Sequence, residues 1–591
     1  MAEDIKKRSI GIDLLKSISI IAVVLYHSGI LKYGYLGVDV FLVIAGYFTT
    51  RSIIKPYLRG ERLKLIKFLE NRMIRLWPLA LIVCIVSFLL AYLWMMPMAL
   101  KNTSETVAGT SLFFNNFVQY ITSSNYWDQS NEFKPLMHTW YVAMLLQFYL
   151  FYAITLWCVA IFSTRKVAAI KNTIFVIFCL SLSMYLLPIL TVPQKFYLLP
   201  ARLFEFAAGG LIVLVEYKLW QLNNKYFVPI LFLLVIILLS INTDLGIEQI
   251  RLLLTVLLTQ IALIYSSQMN IDGYPSALRK TLDAVAMVGI GSYSLYLWHQ
   301  VVLAFYRYAF NSQPSWRDFV IIFIICAAVT VVSYLLLEKK LSSWLAKSNR
   351  TINGGFLACC MVTVALIASS AYVYKNKGIV RDVPELELYA DADNNVTPED
   401  YNSANYSLDI DFPKNEKKNC LVVGDSFGRD WLNILKEAYV DTVLNLSYHT
   451  DVDITLMNRI EAADIIFVAN NGDFGIYYPL LMKMMTKRFY RVGYKYFTRC
   501  VGNVYNNNRY QDGYYSQSFI PDAYYEALID AERNIFGEHY INLMPVIKNA
   551  DGNYAHFTPD QHLYSEDGIH LTKAGAKVFA KRLNIKQYIT D

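Results

Sequence analysis

Charge is scarce in this chain. Only 17% of its 591 residues are Asp, Glu, Lys or Arg, 55% are hydrophobic, and the mean hydropathy is +0.33. That scarcity excludes a wholly soluble protein, because helices that face lipid need apolar side chains all round. The 8 cysteines show no C-x-x-C and no metal-ligand spacing, so no metal site is expected. Cys84, Cys158, Cys179, Cys326, Cys359 and Cys360 fall in apolar runs and read as small hydrophobes. Cys420 and Cys500 lie in the soluble part, where they either pair in an oxidising compartment or stay as two free thiols. The net charge of +7 comes with no basic patch; the cations sit at helix ends, which excludes a nucleic-acid binder. No internal repeat of fixed period is present. No small-residue cleavage site follows the first apolar run, so that run reads as a span and not as a removed signal peptide.

A spanning helix needs about 20 apolar residues. Eleven runs qualify, near 10–28, 35–50, 77–99, 138–162, 172–190, 199–215, 227–241, 250–267, 284–306, 317–337 and 355–374. Lys and Arg gather in alternate loops: Lys6–Arg8, Arg51–Arg75, Arg165–Lys171, Lys218 and Lys225, Arg279 and Lys280, and Lys339–Arg350. Such loops are retained in the cytoplasm. The expected topology has the N-terminus cytoplasmic, and an odd number of spans puts residues 375–591 outside. The expected fold is a polytopic α-helical membrane domain of about eleven spans followed by an α/β domain with a parallel sheet. Residues 1–340 hold ten spans, 341–375 a connecting span, 376–415 a polar linker read as a loop, and 416–591 the soluble domain. There, 419–425 and 464–469 read as buried strands, 427–439 and 523–536 as helices, and Thr572 as the cap of a last helix.

In the soluble domain, Ser426 follows the strand CLVVGD and opens a helix. A nucleophile at a helix N-terminus has backbone N–H groups near a developing oxyanion. Serine needs a base, and His570 in SEDGIHLTKAG is the candidate, with Asp567 three residues before it to orient the ring. The strand-G-D-S start, an N-N pair after a central strand and D-x-x-H before the last helix, in that order, resemble the SGNH hydrolase family. The resemblance implies Ser426 as nucleophile, His570 as base, Asp567 as its partner, and Asn471 or its neighbour Asn470 as the oxyanion Asn. The family's Gly donor has no counterpart in 441–463, which contains no Gly, so an amide near Ser447 is the expected substitute. The segment 491–517 is dense in Tyr and Asn; it reads equally as a sugar platform and as a polar loop over packed tyrosines.

Ionisable groups inside a membrane are costly and point to function. Lys16 and His27 are eleven residues apart on the first span. They share one face, about 16 Å apart along the axis, with Lys16 toward the cytoplasm and His27 toward the outside. Lys16 can meet phosphate or snorkel to the interface; His27 can move protons or simply end the helix. The runs RSIGIDLLKSISIIAVVLYH, GYLGVDVFLVIAGYF, FLENRMIRLWP, HTWYVAMLLQFY, RLFEFAAGG and GSYSLYLWH resemble the acyltransferase-3 family, in its order. The resemblance implies His27 as a catalytic residue, and Lys16, Asp39, Arg72, Arg75, Arg202, Glu205 and His299 along the acyl-donor and transfer path. Two positions depart from the family: Lys16 stands where it has Arg, and Leu145 and Leu146 where it has acidic residues.

Together the two resemblances imply an O-acyltransferase in a bacterial cytoplasmic membrane. It would take an acyl group, acetyl by family, from a cytoplasmic acyl-CoA such as acetyl-CoA. The acceptor would be a hydroxyl of an extracytoplasmic polysaccharide or its lipid-linked precursor, with Ser426 carrying the acyl group. No bound cofactor is expected. The rival readings are a membrane-anchored polysaccharide esterase and a glycan transporter whose soluble domain only binds.

Overall fold

The computed structural model describes residues 9–122, 130–219, 248–266, 274–341, 354–471, 474–509 and 511–590, with a few single positions between 220 and 247. It divides into two compact units. The first comprises Met1–Leu93, Asn102–Tyr306 and Gln313–Tyr374; the second gathers Trp94–Lys101, Arg307–Ser312 and Lys375–Asp591.

The first unit is helical. Among the described residues, eight helices are long and apolar enough to cross a membrane: Ile10–His27, Gly34–Leu58, Leu65–Trp94, Met137–Phe162, Lys166–Leu186, Gln249–Ser266, Trp316–Lys340 and Gly354–Lys375. The chain is a multi-pass membrane protein. Helices satisfy every backbone N–H and C=O within one segment, which lipid demands.

Two of the eleven expected spans read differently, and a third is not described. The run 199–215 is helical, within Leu199–Leu219, but carries Arg202 and Glu205 and is not among the eight. The run 284–306 is broken at Gly291 into helices Ser276–Ile290 and Ser292–Ala309. Glycine costs about 1 kcal/mol against alanine in a helix, so the interruption falls where the sequence is weakest. The run 227–241 lies outside the described residues.

Small residues set how closely these helices approach. Gly37–Leu58 and Leu199–Leu219 cross almost backbone to backbone: a Cβ on Gly46 would stand 1.8 Å from the Phe206 carbonyl oxygen, and one on Gly209 1.9 Å from that of Val43.

The second unit is α/β. Its strands are β1 (Asn419–Val423), β2 (Asn445–His449), β3 (Ile465–Val468), β4 (Arg488–Val492), β5 (Ser518–Phe519), β6 (Tyr540–Ile541) and β7 (Tyr554–Ala555). Five form one sheet in the order β2-β1-β3-β4-β6, every neighbour pair parallel. β5 and β7 form a separate antiparallel pair. The alternation of side chains explains the layers. Cys420 and Val422 of β1, with Ile465 and Phe467 of β3, join one core; Leu421 and Val423, with Ile466 and Val468, join the other. A parallel sheet buried on both faces needs such uninterrupted apolar strands.

Helix Ser426–Glu437 follows β1, helix Ala523–Phe536 precedes β6, and Thr572 caps helix Lys573–Arg582 by accepting from Gly575 N. Residues 376–415, read from composition as a linker, are built into this unit. Thr397 closes a capping box on helix Pro398–Ser403, and Asn402 and Asn405 are fully buried.

Candidate active site

The chain runs from β1 to β2 on one side and then from β2 back across to β3 on the other, and this reversal opens a crevice at the carboxyl ends of β1 and β3. Ser426 sits there. Gly424 makes the turn possible: its φ is +145°, and a Cβ would stand 1.8 Å from the Ala469 carbonyl oxygen. Asp425 caps the following helix, its Oδ1 accepting from Phe427 N at 2.9 Å and its Oδ2 from Asn471 N at 2.9 Å. The carboxylate thus ties the nucleophile turn to the segment after β3.

His570 Nε2 lies 2.9 Å from Ser426 Oγ, and its Nδ1 bonds to Asp567 Oδ2. Carboxylates only accept, so Nδ1 carries the proton and Nε2 offers its lone pair to the serine hydroxyl. Asp567 Oδ1 accepts from the amides of Ile569 and His570, each at 2.8 Å, and from Ser565 Oγ at 3.1 Å. Burial pushes the Asp567 carboxyl up. The neighbouring His570 and these hydrogen bonds outweigh that and hold it down at about 2. The geometry suits proton abstraction from Ser426.

The two oxyanion candidates differ in setting. Arg491 Nη1 donates to Asn470 Oδ1 at 2.8 Å, and Arg491 in turn pairs with Glu532 at 2.7 Å. Arginine has no acceptor, so this fixes the Asn470 amide with Nδ2 as its donor end. Asn471 is exposed, and its backbone N–H goes to Asp425. Ser447 is not at the strand ends. It sits in the middle of β2 opposite Leu421, and its hydroxyl donates to Ile410 O at 2.6 Å, so the substitute donor expected there is misplaced. Segment 491–517 buries Tyr494, Tyr496, Tyr505 and Tyr514, with Tyr515 left exposed; packed tyrosines account for most of its aromatic density. Cys420 and Cys500 are buried and form no disulfide.

In the first unit the expected path residues fall into three groups. Lys16, Arg72 and Arg75 line one cavity of about 300 Å³ with Ser52, Leu145 and Tyr149. Lys16 pairs with Asp13 at 3.3 Å, and the Arg72 guanidinium lies 5.1 Å from the Tyr149 ring centre. Such a cation set suits phosphate groups, and Leu145 gives it an apolar wall where the family has a carboxylate. His27 and His299 form the second group, ring centres 5.2 Å apart. Asp39, Arg202 and Glu205 form the third. Arg202 pairs with Asp39 at 2.9 Å and with Glu205 at 3.2 Å, all three at most 4% exposed, and none of them lines the cavity.

Sequence reasoning missed several supporting residues. Asn402 Nδ2 donates to Ser426 O at 3.0 Å and to Asp430 Oδ1 at 2.6 Å. Its only signal was a T-P-E-D capping pattern inside an otherwise polar stretch. Asp430 and Lys495 pair in the core, and nothing local marks them. His138 packs on His299, ring centres 5.1 Å apart; its signal was its place at the head of the H-T-W motif.

Comparison with known proteins places the membrane unit. The chain is 25% identical over 350 residues, 56% of either chain, to the O-acetyltransferase OatA of Staphylococcus aureus. It is 28% identical over 320 residues, 50% of either chain, to a putative O-acetyltransferase of Staphylococcus aureus. The chain spans about half the length of the curated relatives it matches. No solved structure matches it significantly. The family model described as an acyltransferase domain matches residues 9–338, more than half of the chain and the same stretch that carries the His27 and Lys16 motifs. By that match, the chain belongs to the acyltransferase domain family.

Proposed function

We propose that this protein is a membrane O-acetyltransferase that moves an acetyl group from cytoplasmic acetyl-CoA to a hydroxyl of a cell-surface polysaccharide outside. The observation that carries the reading is the Ser426–His570–Asp567 array, with Ser426 Oγ 2.9 Å from His570 Nε2, in a chain whose first half belongs to an acyltransferase family. The relatives named O-acetyltransferases support acetyl as the group, and the apolar helices support a membrane setting.

In this reading the phosphates of the donor meet Lys16, Arg72 and Arg75, and His27 handles the proton at the transfer point. The second unit is extracytoplasmic and hydrolase-like. Its Ser426 hydroxyl gives its proton to His570 Nε2 as Oγ bonds to the acyl carbon. The group that carried the acyl leaves with that proton. The sugar hydroxyl then attacks the ester, losing its proton to His570, which passes it to Ser426 Oγ as that oxygen leaves the acyl carbon. Donors of the Ser426 helix start and of Asn470 or Asn471 face the oxyanion in both steps.

A membrane-anchored esterase would leave the basic cavity and His27 without a task. A glycan transporter would not need Ser426. The test measures O-acetyl esters on surface polysaccharide by NMR in cells carrying wild-type, Ser426→Ala or His27→Ala protein. Loss of esters in both variants, with the protein still in the membrane, supports the reading. Esters that persist in Ser426→Ala leave it untenable.

A further inference from the structure

Two imidazoles behind His27 are fixed in a way that the transfer scheme does not yet use. His299 Nδ1 lies 2.7 Å from Tyr296 O and 3.2 Å from Leu295 O. His138 Nε2 lies 3.2 Å from Leu297 O. A carbonyl oxygen only accepts, so in each ring the nitrogen facing it carries the proton. The other nitrogens, His299 Nε2 and His138 Nδ1, are therefore lone pairs. Both are buried and have no hydrogen-bond partner among the described residues. His138 is 1% exposed and His299 0%. A buried acceptor without a donor is costly, and a proton placed on one of these nitrogens would give the other a partner.

The neighbourhood fits that use. The rings of His27 and His299 are 5.2 Å apart and those of His299 and His138 5.1 Å. The backbone supports it: Tyr296 Oη donates to His138 O at 2.6 Å. Among the described residues, the titratable ring neighbours of the pair are Tyr296 on the helix of His299 and His27 on the first helix, where Tyr26 packs on His27 in turn. An uncharged acceptor such as His138 Nδ1 can hold a proton on His299 by a hydrogen bond to it.

We propose that His138 is a positioning residue for acyl transfer: its Nδ1 accepts a hydrogen bond from His299 Nε2–H when His299 takes up the proton from His27. The proton balance closes within the reaction. A hydroxyl of the group that carries the acyl on to Ser426 loses its proton to His27 as it bonds to the acyl carbon; His27 passes one to His299 Nε2; the thiolate of the donor leaves and receives that proton back through His27. His138 supplies no proton and takes none. It stabilises the charged form of His299 in between. This rests on the acetyltransferase reading above.

The experiment follows thiol release from acetyl-CoA by the purified full chain in detergent, across pH 6 to 9. His138→Ala removes the acceptor. His138→Asn keeps an acceptor oxygen near the place of Nδ1. The expected result for His138→Ala is a rate lower by about 10- to 100-fold, the size of one hydrogen bond to a charged group. The acid-side limb of its pH profile should move to lower pH, because the charged His299 has lost its support. His138→Asn should stay within about threefold of wild type, with the limb near its original place. A His138→Ala rate within twofold of wild type overturns the proposal. So does a loss with an unmoved limb, or an Asn variant as slow as Ala. If the wild type itself releases no thiol while His138 variants insert normally, the acetyltransferase reading fails instead.

Discussion

Lys495 Nζ sits 2.8 Å from Asp430 Oδ2, with side chains 2% and 0% exposed, and the pair grips the loop that carries His570. The same ammonium donates to Ile569 O at 3.0 Å, and the same carboxylate accepts from Leu571 N at 3.1 Å. His570 lies between these two residues in the chain. Asp430 belongs to the helix that Ser426 opens, so the pair fixes base and nucleophile to one frame. Removing one partner of such a pair strands the other charge in the core, at about 3–5 kcal/mol. Lys495→Met should therefore lower the unfolding temperature of the full chain and abolish transfer. Asp430→Asn combined with Lys495→Met should recover part of the stability. Thermal unfolding of the three proteins is the check; a single variant as stable as wild type would show that the pair anchors nothing.

Glu566, next to Asp567, gives a pH prediction. It is buried, and its carboxyl is pushed up to about 8, by burial first and then by the charges of Asp567 and Glu399. The Met98 amide, which donates to it at 2.8 Å, works in the opposite direction, as does Lys101. An acid whose folded value lies above its unfolded value of about 4.5 binds more protons when folded, so stability falls as pH rises between the two values. Glu566→Gln keeps an acceptor for Met98 and removes the titration. The variant should match wild type near pH 5 and exceed it near pH 8.5 in unfolding temperature. Equal midpoints at both pH values would remove Glu566 from the account.

Asp567 works the other way. Its carboxyl is held down at about 2, against the pull of burial, by His570 and the hydrogen bonds around it. Its contribution to stability is complete above its unfolded value and is lost as pH falls through about 2. It stays charged across the neutral range. Asp567→Asn should retain the fold and lower acyl transfer by roughly 10³- to 10⁴-fold, because the amide no longer fixes the His570 tautomer. Ester formation on the polysaccharide reads this directly, and a variant with a tenth of wild-type activity would argue that His570 needs no carboxylate.

The basic cavity predicts a donor effect. Lys16 is one of three cations on its wall. Lys16→Gln should raise the KM for acetyl-CoA roughly tenfold with a smaller change in kcat, the loss of about one charged hydrogen bond. Lys16→Arg should bind at least as well as wild type, since its planar fork suits phosphate. A Lys16→Gln variant with unchanged KM would place the donor elsewhere.

What the sequence made legible follows from range. The Ser426–His570–Asp567 array was readable as a candidate because each member sits at a local boundary: a strand end, a helix start, a cap. The alternation of short apolar strands with helices pointed to the parallel sheet for the same reason. Gly291 breaks a run that hydropathy alone reads as continuous, because hydropathy does not register a helix restart. Lys495 and Asp430 meet across 65 residues, and Arg491 reaches Asn470 from the next strand; no local pattern encodes such partners. Asn402 escaped because a polar stretch reads as solvated, whereas here two asparagines are buried against the helix of Ser426.

The claim at the centre of this account is that Ser426 carries the acyl group. Incubating the full chain with isotopically labelled acetyl-CoA and mapping the label by peptide mass spectrometry tests it most directly. The account predicts an acetyl ester on the peptide bearing Ser426, absent in His27→Ala and in Ser426→Ala. Label transfer to polysaccharide that proceeds in Ser426→Ala, with no ester ever found on that peptide, would contradict it.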